Sequence, residues 1–220
     1  IVRETRGQVV QCSFNSILTV WNAQIPVSEH VQRALTFSKR LTDSIHAFNQ
    51  NNQHEEHFIA IRPCISIATG TSLIGNLGTD ATKVFSVVGN TFCRTMLQVQ
   101  LASEYGVQCV IGQEIATIAA NHFQTRPFTS YQFEQSNITL YELGPLKKKD
   151  ADEWMYELQN IEHNGAWELF AEAYREFESG EYASALEKFT SFHESNPSDP
   201  LTLKLINQIK ERQASEEELF

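Results

Sequence analysis

The chain has no apolar run long enough to cross a bilayer, so no transmembrane helix lies within its 220 residues. It is short of positive charge, with 17 Lys and Arg against 27 Asp and Glu and a formal net charge of −10. That balance argues against nucleic acid or an acidic membrane as a partner, and any polyphosphate ligand would need basic groups clustered locally. Cysteine is sparse. Cys12, Cys64, Cys93 and Cys109 are scattered among apolar residues and lack the close spacing of a zinc site or a disulfide scaffold. They read as buried, reduced thiols, which places the chain inside the cell, in the cytoplasm or on the cytoplasmic side of a membrane protein. An initiator Met and a signal-peptide pattern are both missing at Ile1, as expected of a piece of a longer protein whose membrane attachment stays open. What remains is an ordinary soluble composition, 41% hydrophobic and 20% charged, long enough for one good core and an appendage.

The most structured stretch runs from Cys64 to Leu101. Ile65 and Ile67 alternate with Ser66 and Ala68 as in a half-buried strand. Gly70, Gly75 and Gly78 predict a compact turn, and the β-branched run Val84 to Val88 a second strand. Gly89-Asn90-Thr91 then offers capping residues for a helix from about Thr91 to Tyr105, with Phe92, Met96, Val99 and Leu101 as apolar positions and Gly106 as its stop. A strand pair feeding a helix through a tight polar turn is a common place to hold a nucleotide.

Upstream, Gly7 to Ala23 predicts a β-hairpin turning at Phe14-Asn15-Ser16. From Val27 to about Asn49 the period becomes helical, with Val31, Ala34, Leu35, Ser38, Leu41, Ile45 and Phe48 on one face and Ser28 as N-cap. Residues 49–57 read as a polar loop. His54 and His57 beside Glu55 and Glu56 invite a metal reading, but without a further ligand cluster nearby the solvated loop is favoured. Downstream, Val107 to Ile111 reads as a buried strand and Gln113 to Asn121 as a short helix. Phe123 to Phe133 and Ile138 to Leu143 read as antiparallel strands, and Glu153 to Leu158 as an added edge strand. The order predicts an α+β fold with a ferredoxin-like, largely antiparallel sheet.

After Asn164 the character changes. Trp167, Phe170, Tyr174 and Phe177 recur at helical spacing, Gly180 breaks the run, and Tyr182, Ala185, Leu186 and Phe189 follow on a second helix closed by Asn196-Pro197. This α-helical hairpin resembles the second half of a tetratricopeptide repeat. A single unit does not make a peptide-binding solenoid, so the aromatic stripe reads as packing within the hairpin or onto the preceding domain. A third helix is expected from Leu201 to about Arg212. The division is residues 1–160 and a helical tail, 161–220.

Three motifs in register carry a family resemblance: G-x-V-V-x-x-x-x-N-x-x-L-x-V-W from Gly7, I-x-I-A-T-G-x-x-x-x-G-N-L-G from Ile65, and F-S-V-V-G-N-T-F from Phe85. The chain from about Gly7 to Leu158 resembles the catalytic domain of class III adenylate and guanylate cyclases. The resemblance implies the nucleotide cyclase fold, with its first strand missing from this chain, and domains that pair head to tail around a nucleoside triphosphate. In the family two aspartates hold divalent metals that activate the 3′-hydroxyl and neutralise the phosphates. The second of them falls in the hairpin turn, where this chain has Phe14-Asn15, and neutral Asn15 is a poor Mg²⁺ ligand. The family's purine-reading positions correspond to Gln11 and Ser86, which hydrogen-bond but match neither the adenine nor the guanine pair. The helix Asn that orients the ribose becomes Cys93, and the Arg that stabilises phosphate charge becomes Leu97, with Arg94 one turn earlier. Among Lys147, Lys148 and Lys149, Lys148 aligns best with a phosphate-contacting lysine, although a solvated basic loop explains the run equally well.

These replacements predict a domain that keeps the scaffold without its reaction. It would act by dimerising with another cyclase domain, as homodimer or heterodimer, or as a regulatory scaffold in cyclic-nucleotide signalling. No cofactor is expected, and Mg or Mn would enter only with residual cyclase activity. Two alternatives stand: a divergent adenylate or guanylate cyclase completed by a partner domain, and a protein-binding module working through the helical tail.

Overall fold

The computed structural model describes residues 1–147 and 154–217, with side chains over 1–147 and 165–214. In chain order the elements are β1 (Gln8–Cys12), β2 (Ile17–Val20), α1 (His30–Asn52), β3 (Ile65–Ile67), β4 (Leu73–Gly78), β5 (Lys83–Val88) and α2 (Asn90–Tyr105). There follow β6 (Cys109–Gly112), α3 (Gln113–Ala119), β7 (Phe123–Phe133), β8 (Ser136–Leu146), α4 (Trp154–Ser179), α5 (Tyr182–Ser195) and α6 (Pro200–Glu217). The central sheet has the order β3-β6-β8-β7. β3 and β6 run parallel, and the other two pairings are antiparallel. β1 with β2, and β4 with β5, form separate antiparallel hairpins. This is the α+β architecture expected from the sequence.

Strand alternation distributes the core. β6 is buried along its whole length. Its Val110 joins Ala102, Phe128, Leu140 and the tail helices on one face, while Ile111 joins Val31, Leu35, Ile115 and Ala119 on the other. The sheet is therefore covered by α2 and the tail on one side and by α1 and α3 on the other. On α1 the predicted face is buried over its first half, at Val31, Ala34, Leu35 and Ser38, whereas Leu41 and Ile45 are half-buried and Phe48 is exposed, because the helix runs on past the sheet edge. Gly106 stops α2 in the left-handed conformation, as expected.

The structure corrects several local readings. The glycine-punctuated turn after β3 contains a strand, β4, with Gly75 facing Ser86 and Gly78 facing Lys83. The tight turn is Thr79–Thr82, closed by Thr79 N–H donating to Thr82 O at 2.9 Å. Glycine weakens strand propensity, but cross-strand pairing with the β-branched run of β5 overrides it. Gly78 is fixed by geometry: its φ is +138°, and a Cβ there would sit 2.1 Å from Thr82 O. Ser28 does not cap α1. The helix begins at His30 after Glu29, which is left-handed (φ 56°), because the Asn22 side chain captures Val27 N–H at 2.8 Å and sets the entry turn. The polar loop is shorter than predicted, since α1 runs on to Asn52. Trp154 to Leu158 open α4 instead of forming an edge strand; a short apolar run is ambiguous alone, and the helix of the following aromatic stripe extends back through Gly165 to include it.

The tail is built onto the sheet. Phe170 packs edge-on against Phe189 and Phe192, with centroids 5.1 and 5.2 Å away, and these rings share one core with Phe128 and Leu140 of the sheet. At the junction Arg126 of β7 is 4% exposed. It donates to Glu142 of β8 at 2.7 Å and, bidentately, to Asp199 at 2.7 and 3.0 Å. Its guanidinium lies 4.7 Å from the ring of Trp167 and 4.6 Å from that of Phe170. Asp199 also caps α6, accepting from Thr202 N–H at 3.2 Å and from the Thr202 hydroxyl. Burial pushes the Asp199 carboxyl up, but the bonds and charge of Arg126, with those of Thr202, bring it below its ordinary value. Glu142 is raised, because desolvation there outweighs the pull of Arg126.

Candidate functional site

The two hairpins and the start of α2 carry the positions that the sequence singles out. β1 packs against β5, and β5 runs through Gly89 directly into α2. Gln11 lies exposed near the end of β1, its amide spent on Ser13 Oγ at 2.9 Å. Asn15 is exposed at the tip, in a turn closed by Ser13 N–H donating to Ser16 O at 2.8 Å. Ser86 sits at the centre of β5 opposite Gly75, its hydroxyl donating to Val84 O at 3.4 Å. Cys93 stands exposed in the first turn of α2, and Leu97 is half-buried one turn on. Gln11 and Ser86 are thus on adjoining strands, with Cys93 and Leu97 on the helix that β5 feeds. Lys148 lies outside the described residues. Its neighbour Lys147 donates to Ala120 O at 2.9 Å, closing the end of α3.

Arg94 is committed elsewhere. One residue past Cys93, it turns inward, with its side chain 12% exposed, and donates to both Glu114 oxygens at 2.9 and 3.0 Å and to Thr69 O at 3.5 Å. Burial works against its charge, but the hydrogen bonds and charge of Glu114 raise it above the ordinary guanidinium value. It braces α2 against α3 and does not face the positions just described.

The thiols differ from the sequence reading. All four cysteines are free, but Cys12 and Cys93 are exposed, Cys64 is half-buried, and Cys109 alone is buried. Burial pushes the Cys109 thiol up to about 12, so it behaves as an inert core group. Cys12 and Cys93 are exposed because the hairpin and the first turn of α2 have no helical layer over them. Among the described residues, no group of three or more His, Cys, Asp or Glu is placed to hold a metal ion, and no helix is long and apolar enough to cross a membrane.

A property of this face that residue-by-residue motif reading misses is its neutrality. Residues 7–28, 63–79 and 84–93 contain no Asp, Glu, Lys or Arg in a chain whose net charge is −10. The interruption at the β4–β5 turn pairs internally, with Lys83 Nζ 3.7 Å from Asp80. Val84 and Val88 flank Ser86 on one side of β5, Leu73 pairs with Val88, and all three apolar side chains are exposed. Phe14 at the hairpin tip is fully solvated at 106%. Exposed apolar side chains are ordinary singly, but here Leu73, Val84 and Val88 gather beside one another. The carboxylate of Glu134, which accepts from the Asn90 amide, is brought to the start of α2 next to them.

No family model matches the chain. Among curated proteins it is 20% identical to "Adenylate cyclase 1" of Rhizobium meliloti (strain 1021) over 127 residues, 58% of this chain and 19% of that protein, so the match spans about a fifth of the relative's length. Among solved structures it matches the adenylyl cyclase CyaB from P. aeruginosa, with a TM-score of 0.55 at 13% identity, covering 68% of this chain and 77% of that one. It also matches the guanylyl cyclase Cya2, with a TM-score of 0.54 at 13% identity, covering 67% and 74%.

Proposed function

Starting from a cyclase fold, we propose that this chain is a catalytically silent member of the class III cyclase domains that works by pairing with another cyclase-fold domain. The observation that carries the reading is the chemistry of the site. Asn15, Gln11, Ser86, Cys93 and Leu97 are all neutral, and the nearby Arg94 is bound to Glu114. Mg²⁺ is held by carboxylates and phosphates, and phosphoryl transfer needs positive charge where the phosphate charge develops. Removal of one such group commonly costs about 10² to 10³ in rate, so losing metal ligand and arginine together leaves little turnover. The neutral, apolar face formed by the hairpins supports the pairing half of the proposal. The aromatic stripe of the tail is taken up by packing, which favours a structural role for the tail over a binding one.

The test is turnover and binding on the full chain. Incubation with ATP or GTP and either Mg²⁺ or Mn²⁺ is expected to yield no cyclic nucleotide, and calorimetry with the same ligands no binding heat. Cyclic product that disappears on substituting Gln11 and Ser86 would overturn the reading in favour of a divergent cyclase.

A further inference from the structure

We propose that the helical tail is a strap on α2. Lys204 of α6 supplies the cation that α2 lacks at its own C-terminus, so α2 stays closed while α6 is seated and opens as one unit when α6 lifts. A helix ends on carbonyls that need partners from outside it, and its C-terminus favours positive charge. α2 has no acidic residue in its first turn and no basic one in its last. Its closing carbonyls can be followed one by one. Ala102 O accepts from Val107 N–H at 2.8 Å and Ser103 O from Gly106 N–H at 3.3 Å. Glu104 O accepts from Lys204 Nζ at 2.9 Å, from a residue 100 positions away. The Lys204 ammonium also stands 4.0 Å from the centroid of the Tyr105 ring.

α6 is seated against this end of α2. Its first residue, Pro200, lies so close to Gly106 that a Cβ there would sit 2.7 Å from Pro200 Cγ. Gln208 Nε2 donates to the Tyr105 hydroxyl at 3.0 Å, and Asp199, just ahead of Pro200, is held by Arg126. The opposite end of α2 is tied to the domain instead. There Asn90 donates to Glu134 at 2.5 Å and Arg94 to Glu114 at 2.9 and 3.0 Å. Between the two ends, 16 residues span about 24 Å. Each end of α2 therefore borrows its charge from another element, a carboxylate from Glu134 at the start and an ammonium from Lys204 at the finish. Helical turns form and open cooperatively, so what α6 does at Gly106 reaches Cys93 and Leu97.

Hydrogen exchange of the full chain, read by mass spectrometry, tests this. Lys204→Ala is expected to speed exchange of the α2 amides about two- to fivefold, in residues 90–97 as well as at the C-terminal end. Lys204→Glu, which sets a like charge on the same carbonyls, should speed it about tenfold or more. Lys204→Arg keeps a cation there and should stay within about twofold of the wild type. The amides of Val110 and Ile111 in the buried β6 should not change in any of these, which separates opening of α2 from a general loss of stability. Lys210→Glu makes the same charge reversal at an exposed site on α6 and should leave α2 unaffected. Faster exchange confined to residues 103–106 would reduce Lys204 to a local cap and overturn the strap. Unchanged exchange in Lys204→Glu would overturn it too, as would β6 amides rising in step with those of α2 or an equal effect from Lys210→Glu.

Discussion

Replacing Arg126 with Ala probes how the tail is joined to the sheet. Arg126 is 4% exposed and donates to two carboxylates, Glu142 and Asp199, whose side chains are only 18% and 15% exposed. The substitution leaves both acids buried without their cation, which typically costs about 3–5 kcal/mol. In a chain of this size each kcal/mol corresponds to roughly 2–4 °C, so the melting temperature should fall by roughly 6–20 °C. Differential scanning calorimetry is the assay, and the wild type should unfold in one transition because the tail aromatics share a core cluster with Phe128 and Leu140. Arg126→Met combined with Glu142→Gln and Asp199→Asn removes the buried charges while keeping volume and an Asn cap for α6, and should recover most of the loss. A fall of less than about 2 °C in Arg126→Ala, or a separate low-temperature transition for the tail, would refute the reasoning.

Other outcomes follow from the same geometry. Gly78→Ala should destabilise by about 2 kcal/mol or more, read by urea unfolding, because the new Cβ meets Thr82 O and the backbone is left-handed. Val84→Asp and Val88→Asp, both at exposed sites, should weaken self-association in sedimentation while the melting temperature changes little. Acid unfolding should carry two opposed signatures. Asp199, lowered in the folded state, supplies stability that is complete above its ordinary value of 3.8 and is lost as pH falls below it. Glu142, raised in the folded state, makes the fold gain stability as pH falls through that raised value toward 4.5. Glu142→Gln should abolish the second effect and leave the first, as read by melting temperature against pH.

The sheet, α1, α2 and the tail hairpin were legible because their signals are periodic. Val31, Ala34, Leu35 and Ser38 mark a helix face, and the burial of β6 follows from an apolar run between Gly106 and Gly112. The strand holding Gly75 and Gly78 was hidden, because its stability comes from pairing with β5 and not from its own residues. The junction at Arg126 was equally hidden, since it joins residues 73 apart in sequence and nothing local marks Asp199 as more than a helix cap. At the candidate site, Asn15, Gln11, Ser86, Cys93 and Leu97 could be placed from the resemblance, but the inward turn of Arg94 onto Glu114 depends on how α2 and α3 meet.

The residues that shape this fold and the residues assigned to chemistry are different residues. Gly78 and the fully buried β6 hold the backbone, whereas Gln11, Asn15 and Cys93 lie at the surface and support nothing beneath them. Substitution at those surface positions carries almost no folding penalty. Side-chain chemistry at those positions is therefore free to vary independently of the backbone that presents it.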